Sequence, residues 1–194
     1  MKKIFCTLLM LSIMLTSAVA MAAFEETISE DADITAINSL AVALPKHYRM
    51  EASEPSVADF IKIIFDAGKT SKHKIVSYRE VTREIMNSTG IDVNALQDAN
   101  ARKVYNDHVA KYADAYIVVT TANNLKKTQF FFEVYDSNTQ KLLYLLTVQS
   151  RNYGKDNKGY TKACEEFYQR FDEAVEKTIK DAAKQEKKAK KNKK

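Results

Sequence analysis

Cysteine, glycine and proline are all scarce in this chain: two Cys, four Gly and two Pro in 194 residues, with no Trp. So few Cys cannot staple a small disulfide scaffold, and so little Gly and Pro excludes collagen-like and low-complexity chains. Chemical signatures are equally thin. There is no G-x-S-x-G, so the nucleophile elbow of an α/β-hydrolase is absent. Gly68-Lys69-Thr70 ends like a phosphate loop, but the first Gly would fall at Ile63, inside an amphipathic helical pattern. Asp31 and Asp33 begin like a calcium loop, yet Ala36 and Val42 occupy the positions that demand Gly and Glu. His47, His73 and His108 share no metal-ligand spacing and read as surface or capping residues. No catalytic residue, cofactor or metal is assigned, and the chain reads as a non-enzyme.

What is present is globular composition, 45% hydrophobic and 28% charged. The chain opens with Lys2 and Lys3, an apolar run from Ile4 to Leu15, and then small residues. Ala20-Met21-Ala22 before Ala23 satisfies the small-x-small rule, so residues 1–22 read as a secretory signal peptide cut between Ala22 and Ala23. An uncleaved anchor is the alternative, although the run is shorter than the ~20 residues that span a bilayer comfortably. With no Cys at the cut there is no lipid acceptor, and the expected location is periplasmic or secreted. Cleavage leaves 172 residues, enough for one core that buries roughly 70% of the unfolded surface. Cys164 would then be the lone thiol, on the apolar face of a helix with Tyr160, Phe167, Phe171 and Val175. It reads as packed and inert, the alternative being a nucleophile.

Charge is unevenly distributed. Residues 184–194 form a tail with Lys184, Lys187, Lys188, Lys190, Lys191, Lys193 and Lys194 against one Glu, whereas residues 23–183 carry 21 basic and 24 acidic side chains. The tail is expected to be disordered, either a solubilising end or an electrostatic contact to anionic membrane or wall polymer. Export argues against nucleic acid. Residues 23–38 hold five acids between Phe24 and Asn38 and no base, and read as a solvated arm.

Between them, residues 39–183 read as one α/β domain. Ser39–Leu44, Lys74–Tyr78, Ala115–Thr121, Thr128–Tyr135 and Leu142–Gln149 have strand patterns. Ser56–Ala67, Arg79–Ser88, a region after Asp92 and Tyr160–Ala182 have helical ones. The order β-α-β-α-β-β-β-α predicts a five-stranded mixed sheet with helices packed on it, parallel in its first half and antiparallel in its second. Phe130 and Phe132 should face one way and Phe131 the other, exposing an apolar patch if one face lacks a covering helix.

Four segments in order carry a family resemblance: SLAVALP at 39–45, KIVSYREV at 74–81, YADAYIVVT at 112–120 and EVYDSNTQKLLY at 133–144. Together they resemble the small α/β domain shared by the TolB amino-terminal domain, the curli secretion protein and the LpoB-like activators of penicillin-binding proteins, over roughly residues 36–182. The chain departs from these families in lacking a lipid-accepting Cys and the curli channel's long membrane hairpins. The resemblance implies an envelope protein that binds a protein partner, with no catalytic residues to carry over.

A candidate ligand or partner crevice follows from the strand order 2-1-3-4-5, because open α/β sheets bind at the carboxyl ends of parallel strands. It would gather Lys46, His47 and Arg49 after the first strand, Tyr78 and Arg79 after the second, and Thr121, Asn123 and Asn124 after the third. Two functions are therefore carried: an exported protein-interaction domain, and a periplasmic small-ligand carrier or sensor using that crevice.

Overall fold

A computed structural model describes residues 23–123, 128–150 and 155–191. The leader, with Ala20 and Ala22, lies outside the described residues, as do Asn124, Lys193 and Lys194, and the side chains of Ala23, Lys190 and Lys191. Six strands form one mixed sheet: β1 (Ala23–Ile28), β2 (Ser39–Val42), β3 (Lys74–Val76), β4 (Ala115–Asn123), β5 (Thr128–Asp136) and β6 (Leu142–Ser150). Four helices pack on it: α1 (Val57–Ala67), α2 (Tyr78–Thr89), α3 (Asp98–His108) and α4 (Asn157–Lys191). The sheet order is β1-β6-β5-β4-β2-β3, with β2 parallel to β3 and β4 and every other pairing antiparallel.

Two of the sequence expectations are corrected. The sheet has six strands rather than five, because the first part of the acidic arm pairs with β6 from Ala23↔Gln149 to Ile28↔Tyr144. The ladder uses backbone groups, so Glu25 and Glu26 do not oppose it, and charges are usual on edge strands. Phe24 is fixed beneath Arg170, whose guanidinium carbon stands 3.8 Å from the ring centre. The basic tail is helical through Lys191. Through Lys191 it consists of Lys with one Gln, one Glu and one Ala, all strong helix formers, and Lys180–Glu176 and Lys184–Asp181 pairs support the turns leading into it. Lys184, Lys187 and Lys188 are exposed.

The helix ends follow local chemistry. Ser56 caps α1, its hydroxyl accepting from the Asp59 amide at 3.1 Å and donating to the Asp59 carboxylate at 2.6 Å. Ser77 caps α2, and Gly90 ends it in the left-handed conformation at φ 74°.

The sheet divides two cores. α1 and α4 cover one face, burying Leu40, Ile117, Phe130, Phe132, Tyr144 and Phe167 among others. α2 and α3 cover the other, burying Ala41, Val76, Val81, Tyr105 and Val118. β4 is buried on both sides from Ala115 to Val119, which is why its sequence is a continuous apolar run. β5 alternates, with Phe130, Phe132 and Val134 buried and Phe131, Glu133 and Tyr135 only half-buried. Cys164 is fully buried, and burial pushes its thiol up, away from the reactive thiolate.

Candidate functional site

β2 ends at Val42, but the chain keeps pairing with β4 past Pro45: the Lys46 amide donates to the Val119 carbonyl at 2.9 Å and the Thr121 amide to that of Lys46 at 3.1 Å. Successive residues on extended backbone point to opposite faces, so Lys46 and His47 part company here. The expected single crevice is thus divided by the sheet.

His47 turns towards α1 and α4 and is 6% exposed. Its Nε2 lies 2.9 Å from the Pro55 carbonyl, which can only accept, so Nε2 carries the proton. Nδ1 meets the Thr121 hydroxyl at 2.8 Å. The ring sits edge-on to Phe60 and Tyr160, at 5.2 and 5.5 Å between centres. Asn123 donates to the Tyr160 hydroxyl at 3.2 Å. Both ring nitrogens are spent on internal bonds, so His47 anchors the loop, correcting its reading as a surface residue.

That loop, from Lys46 to Pro55, is also pinned at its far end. Glu54 is 2% exposed, and its carboxylate accepts from the Met50 amide at 2.8 Å. Arg49 folds back onto the Glu51 and Ala52 carbonyls. Between these anchors Tyr48 is 82% and Met50 70% exposed.

On the other face, Lys46 stands at the rim of a half-open cleft of about 310 Å³ between α3 and the sheet. Tyr116 and Tyr135, opposite one another on β4 and β5, stack at 5.4 Å and 19° and form part of its wall. Tyr105 and Arg102 come from α3, and Gln140 from the β5–β6 turn. Gln140 has a left-handed backbone, φ 59°, held by its side chain: Nε2 donates to the Asn106 and Ser137 carbonyls, and Oε1 accepts from the Tyr116 hydroxyl. Tyr78 is buried beneath this face, stacked on Tyr105 at 5.4 Å, while Arg79 is exposed on the first turn of α2. The Arg102, Tyr105, Tyr116, Tyr135 and Gln140 grouping escaped the sequence reading, which followed strand ends; the only signal was the Tyr pair recurring on adjacent strands.

A Ser-His-Asp grouping also occurs. His73 Nδ1 donates to Asp172 at 2.9 Å, and the Ser71 hydroxyl donates to the same Asp172 oxygen at 2.9 Å. Ser71 lies 3.3 Å from Nδ1 as well. A catalytic triad needs serine and aspartate on opposite ring nitrogens. Here they share one, so the cluster ties the turn after α1 to α4. His73, packed on Phe171, is likewise no surface residue. Gly68, in that turn, lies so close to Tyr168 that an added Cβ would stand 2.7 Å from its Cζ. Among the described residues no group of three or more His, Cys, Asp or Glu is placed to hold a metal ion, and no helix is long and apolar enough to cross a membrane.

No family model and no curated protein matches the sequence. Solved structures do. The chain is similar to PelC from Paraburkholderia phytofirmans, solved as a dodecamer, at 10% identity and a TM-score of 0.46, over 78% of this chain and 98% of that one. It is similar to a lipoprotein from Neisseria meningitidis at 14% identity and 0.41, over 59% and 81%. The chain is also similar to the LpoB C-terminal domain from Escherichia coli at 12% identity and a TM-score of 0.46, over 62% of this chain and 88% of that one.

Proposed function

We propose that this chain is an exported, non-catalytic protein-interaction domain of the cell envelope, which meets its partner through the loop after β2. The observation that carries the reading is the exposure of Tyr48 and Met50, 82% and 70%, on a loop held by buried His47 and Glu54. Tyr, Met and Arg are the residue types enriched in protein interfaces, and a pre-ordered loop loses less entropy on docking. Export rests on the leader pattern of residues 1–22. The exposed lysines at 184, 187 and 188 support a secondary electrostatic attachment to an anionic surface. Crosslinking in the native envelope tests the reading. A Tyr48→Ala/Met50→Ala variant is expected to lose its crosslinked partner while keeping its circular dichroism spectrum; an undiminished adduct overturns the proposed contact.

A further inference from the structure

The cleft on the α3 side has a composition that the interaction loop does not account for. Its tyrosines are spent as donors: Tyr105 donates to the Val42 carbonyl at 2.8 Å, Tyr116 to Gln140 at 2.5 Å and Tyr135 to Glu133 at 3.1 Å. Burial raises Tyr116 and Tyr135 to about 12, with Glu133 adding to the effect, so their hydroxyls stay neutral. The rings therefore offer apolar surface, beside Leu44 and Val118. The Gln140 amide is likewise committed, to the Asn106 carbonyl of α3 and the Ser137 carbonyl of the turn.

The donors left on the lining belong to Lys46, Arg102 and Asn106. Lys46 is exposed and forms no ion pair among the described residues. Arg102 is different. One terminal nitrogen donates to the Pro45 carbonyl at 3.1 Å, and the nearest carboxylate, Asp98, stands 3.7 Å away with its side chain 75% exposed. Arg102 Nε is buried with no acceptor among the described residues. That N–H is closed to the cleft; what a ligand meets is the 26% of the Arg102 side chain that stays exposed on the lining, and a carboxylate is the group a guanidinium fits best.

We propose that this cleft binds an organic carboxylate, with the carboxyl group between Lys46 and Arg102 and an apolar or aromatic body against the Tyr116–Tyr135 wall. A phosphate suits the site less well. Phosphate sites draw on helix N-termini and glycine-rich backbone, whereas α3 presents its middle turns here and no glycine lines the cleft. The volume, about 310 Å³, fits a single aromatic acid or one terminal residue of a peptide.

Two sources share this chemistry, a free small acid and the chain end of a partner, and the test separates them. The isotopically labelled protein is titrated with 3-phenylpropionate, with an N-acetylated tetrapeptide ending in Phe, and with the carboxamide of each. Saturable amide shifts at Asn106, Tyr116 and Gln140 are expected from an acid and not from its carboxamide. Saturation by the peptide acid alone assigns a partner's chain end; saturation by both acids assigns the small-molecule class. Lys46→Gln and Arg102→Gln should each weaken binding roughly tenfold. Lys46 is exposed, so its variant keeps the test valid if Arg102→Gln fails to fold. Absence of saturable shifts from both acids up to about 10 mM, or equal shifts from the carboxamides, overturns the assignment.

Discussion

The two faces of the sheet spend similar residues in opposite ways. On the α1/α4 face the aromatic side chains interlock: Phe167 stacks on Phe132 at 4.8 Å and packs against Tyr168, Phe171 and Tyr144. Polar groups there close on one another, as His47 does with Thr121 and the Pro55 carbonyl. Among the described residues, α2 and α3 cover the other face over β3, β2 and β4, and beside that cover the Tyr116–Tyr135 pair borders an open cleft. Packing completeness distinguishes a face that stabilises the fold from one with surface left for a ligand. Lys46 and His47, adjacent in the chain, have different fates because they point to different faces.

Truncations should expose that asymmetry. Phe167→Ala is expected to cost about 3–5 kcal/mol in denaturant unfolding, since a fully buried ring leaves a cavity that its stacked neighbours cannot fill. Val118→Ala, at the cleft side, removes less volume and should cost well under half as much. Equal costs would break the comparison.

Gly68→Ala should rank next. Its Cβ would lie 2.7 Å from Tyr168 Cζ and 2.9 Å from Ile75 Cγ1, and Tyr168 is 1% exposed and has little room to yield. An overpacking cost of about 1–3 kcal/mol is expected from thermal or denaturant melts. A neutral result would mean that the α1–α4 junction is looser than the stacking implies.

The smallest effect is expected at Asp114, which joins the start of β2 to that of β4. Its carboxylate accepts from the Asn38 amide at 2.9 Å and from the Ser39 amide and hydroxyl at 3.0 Å. Partial burial pushes its pKa up, but these hydrogen bonds outweigh it and hold the group below the usual carboxylate range. A lowered folded-state pKa stabilises above the unfolded value, about 3.9, and that contribution is lost as pH falls through the folded value. Asp114→Ala should cost about 0.5–1 kcal/mol at neutral pH, the lower part of the range because the side chain is exposed to water. Stability measured against pH should show the gap to the native chain narrowing at strongly acid pH. A gap that widens in acid would contradict the hydrogen-bonding account.

Caps and periodicity made much of this fold legible: Ser56 caps α1 where the Ser56–Ala67 pattern begins, α2 ends at Thr89 beside the expected Ser88, and the five anticipated strands keep the relative order 2-1-3-4-5. β1 was illegible because an acidic edge strand is held by a backbone ladder that leaves little trace in side-chain pattern. The candidate site was legible only in part. Lys46, His47, Thr121 and Asn123 do gather at the strand ends, but the sheet separates Lys46 from the other three. Arg49 bonds its own loop, and Arg102 and Gln140 came from elements that strand-end reasoning does not consult.

Local sequence alone determined where the first helix begins, which strand is apolar on both sides and which thiol is packed away, because these depend on caps, periodicity and hydropathy within a few residues. Tertiary structure decided that an acidic segment would close the sheet's edge, and that His47 would be consumed internally while Lys46 borders a cleft. Those outcomes depend on pairing partners far apart in the chain and on where the helical cover ends, which a local pattern does not record.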